Sequence, residues 1–397
     1  MSKIKPSELF FKIPNQPNVD LLVIAGEHSG DELAAKCIKG LFERHPGLNI
    51  VSIGGAKLEK EGTDLIFNLV EHSVVGFIDV FKKYPFFRHL FEQTISWIEV
   101  HRPKHICFVD YPGFNLRLSK ALRKKRLSLK GGGSIRLHYY VSPQIWIWKS
   151  KRRFEMAKNL DGLACLLPFE KECYSDTNLP VSYVGHSFAD KSHQLMVSYN
   201  SNGPILMLPG SRFNSVKRIA PIIFQAFIQL SEKFNDLDGI VIYPSDSIKR
   251  LLEGMIKEFP QIEGRVTLVN NENPLVKTRA VIMSSGTMSL NMALASIPGV
   301  IIYSLSPINY WLVQSLGKIG FIGLANLILD QNVYPELLQK EAKSDKIVAA
   351  ITPFLTNKSC LDNFIDASNL IRHKLNDERD ESVSEWLESQ MDLDVLS

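Results

Sequence analysis

Leu21-Leu22-Val23-Ile24-Ala25-Gly26-Glu27-His28-Ser29-Gly30-Asp31 decides the fold of this chain. Its first five residues form a short β-rich apolar run, and the Gly-flanked loop after them leads into a helical pattern. Small residues in such a loop let a ligand approach the backbone, and helix N–H groups favour anions. Capping of the helix by Ser29 or Asp31 accounts for the same residues equally well. The loop is not a GxGxxG, which argues against a dinucleotide site.

Outward from that stretch, the pattern repeats. Ile50–Ile53, Ile106–Val109, Leu137–Val141, Gly162–Leu167 and Val181–Val184 are apolar runs, each followed by turn residues or an amphipathic stretch. That alternation is the signature of a parallel α/β sheet. It breaks at the polar, turn-forming Ser198–Gly203, a candidate linker, and restarts with Ile205–Leu208, Gly239–Tyr243, Val266–Val269, Val281–Ser284 and Val300–Tyr303. The expected fold is α/β, two Rossmann-like doubly wound domains facing a cleft, with C-terminal helices. The divisions are a tail over 1–19, a first domain over 20–197, a second over 198–335, and helices with an acidic tail over 336–397. Strands are expected to stop near Pro335. Asp377, Glu378, Asp380, Glu381, Glu385 and Glu388 around Trp386 read as a solvated helix face.

Length and composition agree. At 397 residues the chain exceeds what one core usually supports, and 45% hydrophobic residues suffice for two. A net charge of +4 is too small to argue for nucleic acid. Five scattered cysteines with no CxxC suggest neither a disulfide framework nor a zinc site, and fit a reducing compartment. No apolar run approaches the roughly 18 residues needed to span a bilayer, and Met1–Asp20 lacks a signal-peptide core. The expected location is the cytoplasm.

Three loops could carry chemistry. Asp110, in Phe108-Val109-Asp110-Tyr111-Pro112-Gly113-Phe114-Asn115, stands directly at a strand end, where partial desolvation would raise its pKa into the working range of a general base. A turn-stabilising side chain is the other reading, and Asn115 is expected to cap the next helix. Leu208-Pro209-Gly210-Ser211-Arg212 places glycine, hydroxyl and guanidinium at a helix start, an anion cradle in which Arg212 could hold a diphosphate. Ser284-Ser285-Gly286-Thr287 repeats the device, so the second domain is expected to hold a nucleotide. His101 and His105 are separated by Pro103 and His186 is isolated; no metal site or cofactor is inferred.

Two surfaces bear on a lipid. Phe77, Val80, Phe81, Tyr84, Phe87 and Phe91 have helical spacing, which alone means core packing, whereas Ile78 and Phe86 spill onto other faces and suggest exposed apolar surface. Arg117, Lys120, Arg123–Arg126 and Lys130, then Lys149 and Lys151–Arg153 beside Trp146 and Trp148, suit an anionic membrane or serve as ordinary helix-dipole partners.

Taken in order, Ala25–Asp31, Val75-Gly76-Phe77, Asp110–Asn115, Tyr140–Trp148, Leu167-Pro168-Phe169-Glu170, Gly185-His186, Leu208–Arg212, Ser285-Gly286-Thr287, Asn326-Leu327 and Pro335–Gln339 resemble the lipid A disaccharide synthase family of inverting, two-Rossmann (GT-B type) glycosyltransferases. The resemblance implies transfer from UDP-2,3-diacylglucosamine to 2,3-diacylglucosamine 1-phosphate, giving a β-1,6 disaccharide on the inner membrane surface of a Gram-negative cell. It implies Asp110 as base and Arg212 as neutraliser of departing UDP. Donor contacts would come from Gly210, Ser211, Ser285, Gly286, Thr287, Asn291, Asn326 and Gln339, acceptor contacts from Glu27, Ser29, Asp31 and Asn115. Acyl or membrane contacts would come from Val75, Phe77, Ile78, Phe81, Phe86 and Phe87. Family members can form homodimers by exchanging C-terminal segments. Three positions depart from the family pattern, Asn291, Ser215 and Gly113, each standing where the family has an acid. They motivate one alternative, a catalytically silent nucleotide-binding homologue; the other is a UDP-sugar transferase or epimerase of this fold acting on a soluble sugar.

Overall fold

The computed structural model describes residues 11–73, 84–147, 149–189, 195–271, 275–284, 286–303 and 320–393. Two compact units share the chain, Met1–Ser187 with Glu378–Ser397, and Phe188–Asp377.

In the first unit β1 (Leu21–Ala25), β2 (Ile50–Gly54), β3 (Asp64–Asn68), β4 (His105–Val109), β5 (Arg136–Tyr140), β6 (Gly162–Cys165) and β7 (Val181–Tyr183) form one sheet in the order β3-β2-β1-β4-β5-β6-β7. In the second, β8 (Val197–Tyr199) pairs with β12 (Val276–Thr278). There β9 (Ile205–Leu208), β10 (Gly239–Tyr243), β11 (Val266–Asn270), β13 (Ala280–Met283), β14 (Gly299–Tyr303) and β15 (Glu336–Leu338) form a sheet in the order β11-β10-β9-β13-β14-β15. All these pairings are parallel. Both units are doubly wound α/β folds, as the alternation predicts.

The reason is visible in β1. Leu22 and Ile24 join one apolar cluster while Leu21, Val23 and Ala25 join another, so the strand is covered on both faces. Parallel neighbours need crossover connections, which the helices supply. Each chain segment starts mid-sheet, winds to one edge and returns to wind to the other. The order therefore reverses between β1 and β4 and between β9 and β13, and at such points strand ends splay to leave room for a ligand.

Three features differ from the sequence reading. The units divide at Ser187 and Phe188 rather than at Ser198–Gly203, because β8 already pairs with β12 and Asn200–Gly203 is a tight turn closed by Gly203 N–H to the Asn200 carbonyl at 2.9 Å. Strands also continue past Pro335, since β15 joins the sheet edge. The acidic end is solvated only in part: Asp377, Glu378, Asp380 and Glu385 are exposed, Glu381 is half-buried and Glu388 is buried. Ser382 and Glu385 form a reciprocal capping box that starts the helix Val383–Gln390, and this helix lays Trp386, Leu387 and Met391 into the first unit's core. Trp386 is 1% exposed. Glu388 is buried against Arg44 and His45, and Asp380 accepts from the Tyr183 backbone at 2.7 Å and from Lys171. Glu388 and Asp380 are thus held by specific partners within an otherwise exposed acidic run, which composition could not reveal.

Candidate active site

In the first unit the reversal point is made by the ends of β1 and β4. Asp110 follows β4 with φ +48°, and Tyr111 follows with φ +49°, both left-handed. Pro112 begins the next helix and disfavours the right-handed helical region for Tyr111. Two non-glycine residues in that conformation cost on the order of 1–3 kcal/mol each, so other contacts must hold them. Tyr139 Oη donates to the Asp110 carbonyl at 2.6 Å and Asn115 Nδ2 at 2.8 Å, while the Asp110 N–H donates to the Tyr140 carbonyl at 2.9 Å. Asn115 Nδ2 also lies 3.5 Å from the Ile24 carbonyl, stapling β4 to β1. The Tyr111 ring lies over Gly26, where a Cβ would stand 2.3 Å from a ring carbon.

Asp110 is partly buried, and its carboxyl is pushed up to about 6 by desolvation first and by the Glu27 carboxylate second, against a hydrogen bond from the Tyr111 backbone. Glu27, His28 and Ser29 are exposed at the start of the helix His28–Arg44, whose N-cap makes no side-chain hydrogen bond. Asp31 does something else. At 2% exposure it accepts from the backbone of Gly55 at 2.8 Å and Lys57 at 3.0 Å, tying down the loop after β2. Asn115 is equally enclosed, so neither it nor Asp31 is an exposed acceptor contact.

The second reversal point lies between β9 and β13. Gly210 has φ +112° and faces Ser284 Oγ, 3.1 Å from where its Cβ would be. Ser211 and Arg212 are exposed at the start of the helix Phe213–Lys233, whose first turn carries no acid and whose N-cap, Arg212, makes no side-chain hydrogen bond. Among the described residues the Arg212 guanidinium has no ion-pair partner. Thr287 is exposed at the start of the helix Gly286–Leu294; Ser285 lies outside the described residues. Two buried oxygens, Ser284 Oγ and Asn291 Oδ1, have no hydrogen-bond partner among the described residues. Oriented N–H groups, a free guanidinium and unpaired oxygens suit a phosphorylated, hydroxyl-bearing ligand.

Asn326 is not free for a ligand. Its Nδ2 donates to the Tyr334 carbonyl and to Glu336 Oε1, both at 2.8 Å, and its Oδ1 accepts from Tyr334 N–H at 2.8 Å. Glu336 also accepts from Ile322 and Gly323 N–H, and so fixes the loop before the helix Leu324–Leu329. Gln339, half-buried with φ +53°, sits at the C-terminal end of β15. Glu170, absent from the candidates, is fully buried at the end of β6 and pushed up to about 7 by desolvation, against hydrogen bonds from Leu167, Trp146 and Leu166.

Of the candidate lipid contacts, Val75, Phe77, Ile78 and Phe81 lie outside the described residues. Phe86 and Phe87 are half-buried, packed on the first core in a chain of rings through His72 and Phe67. The histidine singled out at 105 pairs with His138, ring nitrogens 3.1 Å apart, and desolvation lowers them to about 4 and about 3. No cluster of His, Cys, Asp or Glu among the described residues is arranged for a metal.

The family model for lipid-A-disaccharide synthetase matches residues 21–389. The chain belongs to that family. A lipid-A-disaccharide synthase of Coxiella burnetii is 30% identical over 367 residues, covering 90% of this chain and 94% of the relative. A lipid-A-disaccharide synthase 1 of Legionella pneumophila is 32% identical over 377 residues, covering 91% and 94%. Among solved structures, the glycotransferase of kitacinnamycin superposes with a TM-score of 0.60 at 11% identity, over 94% of this chain and all of that one, a likeness of fold. Of the three positions that depart from the expected pattern, Ser215 lies in the first turn of the helix that Arg212 caps, Asn291 is buried, and Gly113 is exposed in the first turn of the helix Pro112–Lys124. Family membership makes the chain a hexosyltransferase of lipid A disaccharide synthesis with a UDP-sugar donor and a sugar acceptor.

Proposed function

We propose that this hexosyltransferase takes 2,3-diacylglucosamine from UDP-2,3-diacylglucosamine onto the 6-hydroxyl of 2,3-diacylglucosamine 1-phosphate, with Asp110 as the general base. The carboxylate of Asp110 takes the hydroxyl proton as the oxygen bonds to the donor anomeric carbon. The bond from that carbon to the UDP oxygen breaks on the opposite face, so configuration inverts and UDP leaves with the electron pair. The observation that carries this reading is a strand-end carboxylate desolvated to a pKa of about 6 on a backbone locked by Tyr139 and Asn115. A base in that range is ionised at neutral pH yet basic enough to share a proton in the transition state.

The second unit meets the charge on the leaving group. In this reading Arg212 and the N–H groups around Gly210 and Thr287 hold the diphosphate as its charge develops, an electrostatic contribution that needs no reorganisation during the reaction. An acid at position 215 would compete with that anion, and Ser215 does not. Asn291 Oδ1 can accept from a ribose hydroxyl. Ser29 and Glu27 are the exposed acceptor-side groups, while Asp31, Asn115 and Asn326 act as positioning residues.

No helix among the described residues is long and apolar enough to cross a membrane. A peripheral contact is supported by the basic helices Pro112–Lys124 and Arg152–Asn159, joined by the Lys120–Glu155 ion pair and carrying exposed Phe154 under Arg153. The decisive experiment is release of UDP from the acylated donor with and without acylated acceptor. Turnover should require both, and Asp110→Asn should abolish it while leaving UDP affinity within a few-fold. Near-normal turnover in that variant would sink the base assignment.

A further inference from the structure

Two stretches that carry the family resemblance, Tyr140–Trp148 and Leu167–Glu170, have no part in the reaction as just described, yet they meet at the C-terminal ends of β5 and β6. The chain leaves β5 through Val141, at φ +74°, and Ser142, whose Oγ is 2.9 Å from Tyr174 Oη. Trp146 turns back so that its Nε1 donates to Glu170 Oε1 at 3.4 Å, and its ring stands edge-on to Phe169 at 5.4 Å. Glu170, 3% exposed, uses its other oxygen to accept from the backbone of Leu166 at 3.2 Å and Leu167 at 3.1 Å. Among the described residues it has no cationic partner.

A buried carboxylate without a cation is an expensive way to satisfy two backbone donors. Glutamine has the same shape and would do that without burying a charge, but its amide nitrogen would then face the indole N–H, donor against donor. Only the ionised form accepts on both sides, so the tie to Trp146 favours ionisation of a carboxyl that burial pushes up to about 7. That tie matters for Asp110, since the loop begins at Tyr140, whose carbonyl holds the Asp110 N–H, one residue after Tyr139, whose hydroxyl holds the Asp110 carbonyl. Within the loop Ser142, Pro143 and Ile145 are buried and Gln144 alone is exposed.

We propose that Glu170 is a positioning residue that, through Trp146, fixes the loop Val141–Ile147 beside Asp110 so that the loop orients the acceptor sugar, with Gln144 as its polar contact. The inference rests on reading Asp110 as the base on the acceptor side. Glu170→Gln, Trp146→Phe and the double variant test it by steady-state kinetics with the acylated acceptor varied. Trp146→Phe keeps an aromatic ring next to Phe169 and removes the N–H together with part of the indole, so it reports even where Glu170→Gln folds poorly. Each single change should raise the acceptor KM about tenfold, with kcat moving less, as expected for one hydrogen bond to a charged group. The double variant should be no worse than the more affected single, because both remove one interaction. UDP affinity, measured by calorimetric titration, should be unchanged. An unchanged acceptor KM in both single variants overturns the proposal, as do effects that multiply in the double variant or a parallel loss of UDP affinity. Turnover surviving in Asp110→Asn would instead remove the base reading and leave these acceptor kinetics to be judged separately.

Discussion

At the scale of the residue, the proposed base Asp110 should set the pH dependence. A base must be ionised, so kcat/KM should fall about tenfold per pH unit below a midpoint near 6 and level off above it. Glu27 raises that midpoint, because a neighbouring negative charge disfavours ionisation. Glu27→Gln should therefore move the acid limb to lower pH in a pH–rate profile. Desolvation, the larger cause, remains, so the midpoint should stay above that of an ordinary aspartate. A limb that stays put or moves upward would show that Asp110 is not the group being titrated. Asp110 was legible as a carboxylate at a strand end, and Arg212 as a guanidinium at a helix start. Asp31, Asn115 and Asn326 were not, since a polar side chain that meets a ligand and one that satisfies buried backbone require the same chemistry. Their burial separates the cases, and sequence carries no record of which side chains in the first turn of a helix are buried.

At the scale of the element, the two reversal points use the same device, a glycine where strand becomes helix. Gly210, at φ +112°, is where the device is most exacting. Gly210→Ala would force a left-handed backbone on alanine at a cost of about 1–2 kcal/mol, and would bring Cβ within 3.1 Å of Ser284 Oγ. UDP affinity should fall roughly tenfold by calorimetric titration, with the second unit still folded. Gly113→Ala is the matched control, since that glycine is helical, exposed and has nothing within 4 Å of its Cβ position. It should leave UDP affinity unchanged and stabilise slightly, by up to about 1 kcal/mol. Equal losses in both variants would contradict the role given to the Gly210 turn. The buried strands β1, β9 and, after His105, β4 were legible as continuous apolar runs. The edge strands β3 and β15 and the short β8 were not, because half-buried strands of Asp-Leu-Ile-Phe-Asn or Glu-Leu-Leu lack a continuous apolar run.

At the scale of the molecule, the chain makes the first unit, then the second, and then returns to finish the first with the helix Val383–Gln390. The returning segment supplies Trp386 to a core that β1, β4 and the helix His28–Arg44 build, and its Glu388 neutralises Arg44 there. Removing such a ring leaves a cavity that neighbours fill only in part, so Trp386→Ala should cost about 3–5 kcal/mol. The loss should fall on one unit. Hydrogen exchange should accelerate in the helix His28–Arg44 and in β6, where the returning helix packs, and stay unchanged in β9, β13 and the helix Phe213–Lys233. Saturating UDP should slow exchange in those second-unit elements equally in the variant and the parent, because a ligand stabilises only the structure that binds it. With the proposed base Asp110 on the first unit and UDP binding proposed for the second, turnover should be lost on warming at a lower temperature than UDP binding. Uniform acceleration across both units would mean that the two fold as one cooperative body, and that the C-terminal return serves the whole molecule rather than the unit carrying Asp110.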